Sequence, residues 1–416
     1  FSQIREMSTQ QLNRSLEAMW SKIKSIGSSS HIEVHTKDVS VEAKDYRNKR
    51  TFSMLPSYLN VAFIHELKPD NSNWIRAHEE GSLYLEKTMG DQVVVQRFAG
   101  VGTGEMAEKA MEIAIKNGAE IIFATTAPMI RACRRVAARH PEVKIFNCSV
   151  CMPYTEVRTY YSRIYEGKFI SGAIAGAITE SDDIGYIASY PIYGVPAGIN
   201  AFALGAQLTR PGAKIHLKWS CTESDPVKEL REKKIDVISS LDIPQQTSQD
   251  GQWGTFRLGS NGEAELIASP YWDWGAFYVQ ITRSFLSREW DASIFGKRED
   301  HAVNYWWGIA SGVVGLRWTD KIPDGTKALA NLLKEGIKDG SVDPFLRKIV
   351  SQDAVIRNDG KKVFSAEEIL RMDWLCENVY GSIPGFDELS EKGQAITRLQ
   401  GVYRDQIPPS KSSVQI

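Results

Sequence analysis

The sequence predicts an α/β protein made of two Rossmann-like lobes that face each other across a cleft. Three observations carry that expectation. At 416 residues the chain is too long for one ordinary core. From Tyr58 onward, short apolar runs alternate with amphipathic stretches, the pattern of parallel strands joined by helices. Past Gly167 the alternation restarts, in a second unit of similar size.

The elements follow in order. Before Tyr58, Ser8 with Gln11 is placed to cap a helix running to about Ile26, with Leu12, Leu16, Met19 and Ile23 on one stripe. Gly27 to Ser30 breaks it, and the alternation from His31 to His35 favours a short strand. The run Leu59 to Ile64 is a buried strand, followed by a helical stretch from Trp74 to Glu86. Val93 to Val95 gives the next strand, and Met106, Ala110, Ile113 and Ala114 mark a helix ended by Asn117-Gly118. Glu120 to Ala124 is a strand, Met129 to Arg139 a helix stopped by Pro141, and Val143 to Phe146 another strand. In the second unit, Gly167 to Ile178 is a helix dense in small residues, which permit close packing. Ile184 to Ala188 is a strand, Ala197 to Leu208 a helix, and Lys214 to Trp219 and Ile235 to Ser239 are strands. The uncharged stretch Ala302 to Leu316 reads as a buried helix.

Composition excludes several functions. Lys+Arg number 50 against 51 Asp+Glu, which leaves no field for steering onto nucleic acid or an anionic membrane. No apolar run reaches the ~18 residues of a spanning helix. The chain starts at Phe1 rather than Met, so a signal peptide or lipid-anchor cysteine would lie upstream of it. The odd cysteine count, with Cys148 and Cys151 as one unpaired C-x-x-C, favours buried small hydrophobes over a metal site. Gly100-Val-Gly102-Thr-Gly104 opens a helix after a strand, but it lacks dinucleotide-binding spacing and no Lys-Ser/Thr pair follows. It reads as a flexible turn, and no cofactor is expected. No metalloprotease, hydrolase-elbow or kinase motif occurs, and the seven histidines are dispersed.

Ligands of parallel sheets bind outside the carboxyl ends of the strands, so candidate residues lie just after strands. There stand Asn73, Trp74 and His78, then Thr125 and Thr126, then Tyr190, and the segment Tyr271-Trp272-Asp273-Trp274. Indole and phenol rings suit a flat heterocycle, and Asn, Thr or Asp suit its polar edge. The plain alternative for every aromatic here is a place in the core. A cleft position for Trp74 implies that its removal leaves the ligand-free protein nearly as stable as before.

At these residues the sequence resembles the basic-membrane-protein family of ABC-transporter substrate-binding lipoproteins, which includes purine nucleoside receptors. The likeness runs from about Tyr58 to Phe345 and is strongest from Thr159 to Gly176, leading into Ile184–Ile192 and Gly198–Gly205. Asn73 to Gly81 is similar to the family's aromatic-bearing first helix, and Trp272 to Gly275 to its tryptophan-rich return segment. The resemblance implies the type I periplasmic-binding-protein fold, two lobes joined by several crossing strands. It implies domain boundaries of 58–158 with 256–292 for the first lobe and 159–255 with 293–345 for the second, leaving 1–57 and 346–416 as extensions. It implies that Trp74 and Tyr190 sandwich a purine ring, that Thr125 and Thr126 face the base, and that Asp242 lies in a polar cleft loop. It departs at Gly259, where family members usually carry the acid that holds the ribose hydroxyls. A free base or another flat ligand therefore stands beside a nucleoside as the expected cargo.

The function expected is a non-catalytic, extracytoplasmic, lipid-anchored receptor that delivers a purine-like solute to an ABC permease. The alternative is the same fold serving as a ligand-sensing regulator.

Overall fold

The computed structural model describes residues 33–35, 58–150, 156–240, 253–259, 261–287 and 303–402. The helix expected from Ser8 to Ile26 and the loop carrying Asp242 lie outside these residues. The first part of the chain runs β1 (Glu33–His35), β2 (Leu59–His65), α1 (Asn73–Met89), β3 (Val93–Ala99), α2 (Glu105–Lys116), β4 (Ile121–Ala124), α3 (Ile130–Arg139), β5 (Lys144–Cys148) and β6 (Arg158–Ser162). There follow α4 (Ile164–Ile178), β7 (Asp183–Ala188), α5 (Val195–Thr209), β8 (Lys214–Trp219), α6 (Pro226–Glu232), β9 (Val237–Ser239), β10 (Thr255–Leu258) and β11 (Ala264–Trp272). The remainder is α7 (Trp274–Leu286), β12 (Val303–Trp307), β13 (Val314–Trp318), α8 (Asp324–Asp339), β14 (Lys348–Val350), β15 (Ile356–Asp359), α9 (Ala366–Leu370), β16 (Val379–Tyr380) and α10 (Glu391–Gln400).

These elements build two seven-stranded sheets and a small antiparallel ribbon of β14 and β15. The first has the order β1-β12-β6-β5-β4-β2-β3 and is parallel throughout. Its central strands β2, β4 and β5 are largely apolar on both sides because helices cover both faces. Val61 and Phe63 point with Phe123 and Phe146 toward Phe277 and Tyr278 of α7. Ala62 and Ile64, one residue out of phase, point with Ile122 and Ile145 toward Met111 of α2 and Val136 of α3.

The second sheet has the order β13-β11-β10-β9-β7-β8-β16. Strands β7, β8, β9 and β16 are parallel to their neighbours among themselves, whereas β10, β11 and β13 join antiparallel. Helices α4 and α5 pack on it almost backbone to backbone. A Cβ at Gly205 would lie 2.0 Å from the Phe169 carbonyl oxygen, and one at Gly172 would lie 2.1 Å from that of Phe202. The small residues expected to permit close packing are therefore required by it.

Three expectations are corrected. Ala302 to Leu316 is not a helix but strands β12 and β13 around a turn. Gly312 takes φ +77 there, and Tyr305-Trp306-Trp307 are β-forming side chains. The segment near 256 does not return to the first lobe at once, because β10 and β11 form a hairpin within the second sheet, while β12 goes to the first. Residues beyond 345, expected as an addition, supply edge strand β16 and pack on α5: Asn378 Nδ2 donates to the carbonyls of Ala203 and Ala213, each at 3.2 Å.

Among the described residues the chain crosses between the sheets three times, at Ser162–Ile164, at Asp273 and at Gly308–Val313. Hydrogen bonds lace the crossings together. Arg163 N–H donates to Trp307 O at 2.7 Å, Asp273 N–H to Val313 O at 2.9 Å, and the Trp272 indole to Ser162 Oγ at 2.6 Å. The buried Glu166 carboxylate accepts from Arg163 Nε at 2.6 Å and from the Ile309 backbone N–H at 2.7 Å, joining two crossings at one side chain.

Candidate functional site: the cleft between the lobes

In each sheet the chain reverses its direction of winding beside one strand. In the first sheet β3 lies on one side of β2 and β4 on the other, and in the second β8 and β9 flank β7 in the same way. Crevices outside the carboxyl ends at such switch points are where parallel sheets bind ligands.

At the first switch point Trp74, in the opening turn of α1, reaches over to the loop after β4 and donates its indole N–H to the Thr125 carbonyl at 2.9 Å. Ser72 places the helix, its hydroxyl accepting from Ile75 N–H. Trp74 is half-buried. Its ring meets Trp272 edge-on at 5.4 Å and runs nearly parallel to Tyr161 at 6.1 Å. These three partly exposed rings form an aromatic wall where the lobes meet.

Behind the wall the character changes. His78, one turn along α1, is fully buried and stacks on Trp274 at 4.7 Å. Its Nδ1 is 2.6 Å from the Tyr278 hydroxyl, which is 3.1 Å from that of Tyr160. Burial, reinforced by nearby His65, holds the His78 pKa well below its ordinary value of 6.5, so the ring is neutral. Burial pushes the Tyr160 and Tyr278 hydroxyls and the Cys148 thiol up, which keeps them protonated. The Thr125 hydroxyl also works inward, donating to Ile64 O at 3.1 Å and standing 3.0 Å from His65 Nδ1. His65 in turn meets Glu79 at 3.0 Å, a hydrogen bond that lowers the Glu79 pKa.

Buried polar atoms without partners occur in several parts of the described fold, His78 Nε2 and the Trp274 indole N–H among them, and three lie beside the wall. Thr126 Oγ1, Asn147 Oδ1 and Ser149 Oγ are buried and make no hydrogen bond. Asn147 pairs with Ala124 across β4 and β5, so Thr126 and Ser149 each stand two residues past that pair on neighbouring strand ends. Asn147 Nδ2 is held by the Thr126 carbonyl at 2.9 Å. Unsatisfied buried polar atoms carry a desolvation cost, and a bound ligand edge is one way to recover it.

The other expected residues are distributed as follows. Asn73 is the first residue of α1. Asp273 caps α7, its carboxylate accepting from Ala276 N–H at 2.9 Å. Tyr190 follows β7 at the second switch point, partly buried against the second-lobe core. Gly259 forms the β10–β11 turn, donating to Glu263 O at 2.8 Å. Sequence reasoning missed Tyr161, Asn147, Ser149 and Lys168. The buried Lys168 ammonium donates to Ser240 O at 3.1 Å just past β9, and sits 5.1 Å from the Tyr186 ring. The signal available for Asn147 and Ser149 was a polar residue closing an apolar strand.

Comparison with known proteins bears on this arrangement. Residues 58–248 match the family described as ABC transporter substrate-binding protein PnrA-like. A purine-binding protein of Brucella abortus is 28% identical over 309 residues, covering 71% of this chain and 85% of that protein. A putative ABC transporter glucose-binding protein of Haloferax volcanii is 25% identical over 299 residues, covering 68% and 73%. Among solved structures, a transcriptional activator of the comK gene from Bacillus halodurans superposes with a TM-score of 0.54 at 18% identity, over 68% of this chain and 99% of that one. A solute-binding protein of an ABC transporter system from Conexibacter woesei gives 0.51 at 16%, over 68% and 98%. These two likenesses concern the fold alone, the two-lobed architecture of type I periplasmic binding proteins. No helix among the described residues is long and apolar enough to cross a membrane.

Proposed function

We propose that the protein binds a purine base or nucleoside between its lobes and hands it to an ABC permease, with no catalytic step of its own. The observation that carries this reading is the half-buried Trp74 indole, fixed at the first switch point by Thr125, beside three buried polar atoms that have no partner. A flat ring laid on Trp74, with Tyr190 brought against its other face, would turn its edge toward Thr126, Asn147 and Ser149. These side chains can donate to ring nitrogens or accept from an exocyclic amine. The name of the Brucella relative supports a purine. The name of the Haloferax relative points instead to a sugar, and the aromatic wall favours the flat ligand. Delivery to a permease, an extracytoplasmic site of action and a lipid anchor all belong to this reading.

Isothermal titration with adenine, hypoxanthine, adenosine, guanosine and glucose tests it. The expected result is saturable binding of at least one purine, none of glucose, and a purine affinity weakened about tenfold or more by Asn147→Ala, the size of one lost buried hydrogen bond. Binding of glucose alone, or of none of the five, overturns the assignment.

A further inference from the structure

The segment after residue 345 does more than complete the second sheet. Helix α10 starts at Ser390, whose N–H donates to Cys221 O at 2.7 Å just past β8, and a Cβ at Gly393 would lie 3.3 Å from Cys221 Cβ. The helix ends at Gly401, which bridges to Ile192, and Val402 N–H donates to Pro191 O at 3.1 Å, in the loop that carries Tyr190. Both anchors are therefore loops at the carboxyl ends of second-sheet strands, the side that faces the cleft. From there α10 comes within 8 Å, Cα to Cα, of the turn Ala127–Met129, which directly follows Thr125 and Thr126 in the first lobe.

Two features define what this helix does. Its position is remote from the crossings. They leave from β6 and β12 in the first sheet and from β11 and β13 in the second, whereas α10 meets the loops after β4, β7 and β8. Its attachment is also lopsided. Backbone hydrogen bonds fix it to the second lobe, but among the described residues no hydrogen bond joins it to Ala127–Met129. The lobes are in contact at the base of the cleft as well, since Val150, just past β5, is buried in the second-lobe core.

We propose that α10 is a latch across the mouth of the cleft. It is built into the second lobe and rests detachably on the first, so it biases the ligand-free protein toward closure and must lift from Ala127–Met129 for the cleft to open. A hinge on one side and a latch on the other make opening a two-point event. The latch acts through the Tyr190 loop and the Thr126 turn together, because it touches both.

The test needs no ligand, so its outcome is independent of the purine assignment. Spin labels at Glu105→Cys and Lys228→Cys, both exposed and on different lobes, report the interlobe distance by double electron–electron resonance in a Cys151→Ser background. The four remaining cysteines are buried. The full chain is compared with Ile396→Pro, which breaks α10, and with a chain ending at Ser390. A narrow distribution in the parent that moves to longer distance and broadens in whichever variant melts as a folded protein supports the latch. Identical distributions overturn it. If both variants fail to fold, α10 is an integral part of the second-lobe core, and the latch is overturned by that route.

Discussion

The indole N–H of Trp74 and the carbonyl of Thr125 meet at 2.9 Å, tying the helix after β2 to the loop after β4 across the switch point of the first sheet. Trp74 therefore has two roles, as a wall of the cleft and as a brace of it. Trp74→Phe keeps an aromatic face and loses the hydrogen bond, so it is expected to cost about 1 kcal/mol of ligand-free stability. Trp74→Ala is expected to cost more than that in stability and a further 1–3 kcal/mol, roughly, in affinity for a purine. Urea denaturation without ligand and calorimetry with it separate the two effects. This revises the expectation that removing Trp74 leaves the ligand-free protein unaffected.

Acid should weaken the first lobe in two stages. His78 is neutral in the folded state because its pKa is held well below 6.5, while the unfolded chain takes up a proton below that value. Its folded state is thus unpenalised above pH 6.5 and loses stability as pH falls from 6.5 toward the lowered value, with a limiting slope of about 1.4 kcal/mol per pH unit. Glu79 has its pKa lowered from 4.5, so its contribution is present above 4.5 and is lost as pH falls further, through the folded value. Denaturation midpoints should be nearly level between pH 8 and 6.5, fall at 5.5 and 4.5, and fall further at 3.5 as the Glu79 contribution goes, and His78→Gln should flatten the stage between 6.5 and 5.5. An unchanged slope in the variant would assign that stage to other groups.

The contact between α4 and α5 sets up a matched pair of glycine substitutions. Gly205→Ala drives a methyl to 2.0 Å from the Phe169 carbonyl and is expected to cost about 3 kcal/mol as the helices are pushed apart. Gly198→Ala, on the same helix, meets nothing nearer than 3.7 Å and should be neutral or gain up to about 1 kcal/mol from helix propensity. Opposite shifts in thermal midpoint are the expected readout.

At the crossings, Glu166→Gln preserves shape but removes the charge that partners Arg163. Breaking a buried pair from one side should cost about 3 kcal/mol. Gly308→Ala should disturb the same place by contact, since its Cβ would lie 2.2 Å from Glu166 Oε2. In a double-mutant cycle the two effects should be less than additive, because both act through that carboxylate.

The first lobe was legible in the sequence because its central strands are buried on both faces. Val61–Ile64 and Ile121–Ala124 appear as unbroken apolar runs between helices with clear stops. The crossings were not legible, because a short uncharged stretch suits a buried helix as well as a buried strand, and only the pairing of Tyr305 with Tyr160 and of Tyr271 with Gly315 decides it. The site was half legible. Position after a strand picks out Trp74 and Thr126 as candidates. The same rule could not tell His78, four residues on and therefore on the same helix face, from a core residue. Asn147 and Lys168 went unseen because their importance lies in bonds made or missing across the fold, which no local pattern records.

The order in which strands enter the first sheet has a consequence for how the protein is made. Strand β6 leaves at Ser162 with one neighbour, β5, and receives its second, β12, only from residues 303–307. The second sheet likewise waits for Val379–Tyr380 to cover the outer edge of β8. Neither lobe can be finished before most of the chain has been synthesised, and the two must mature together rather than one after the other. So many distant pairings imply slow folding and a nascent chain with open sheet edges, dependent on protection from aggregation until its last hundred residues arrive.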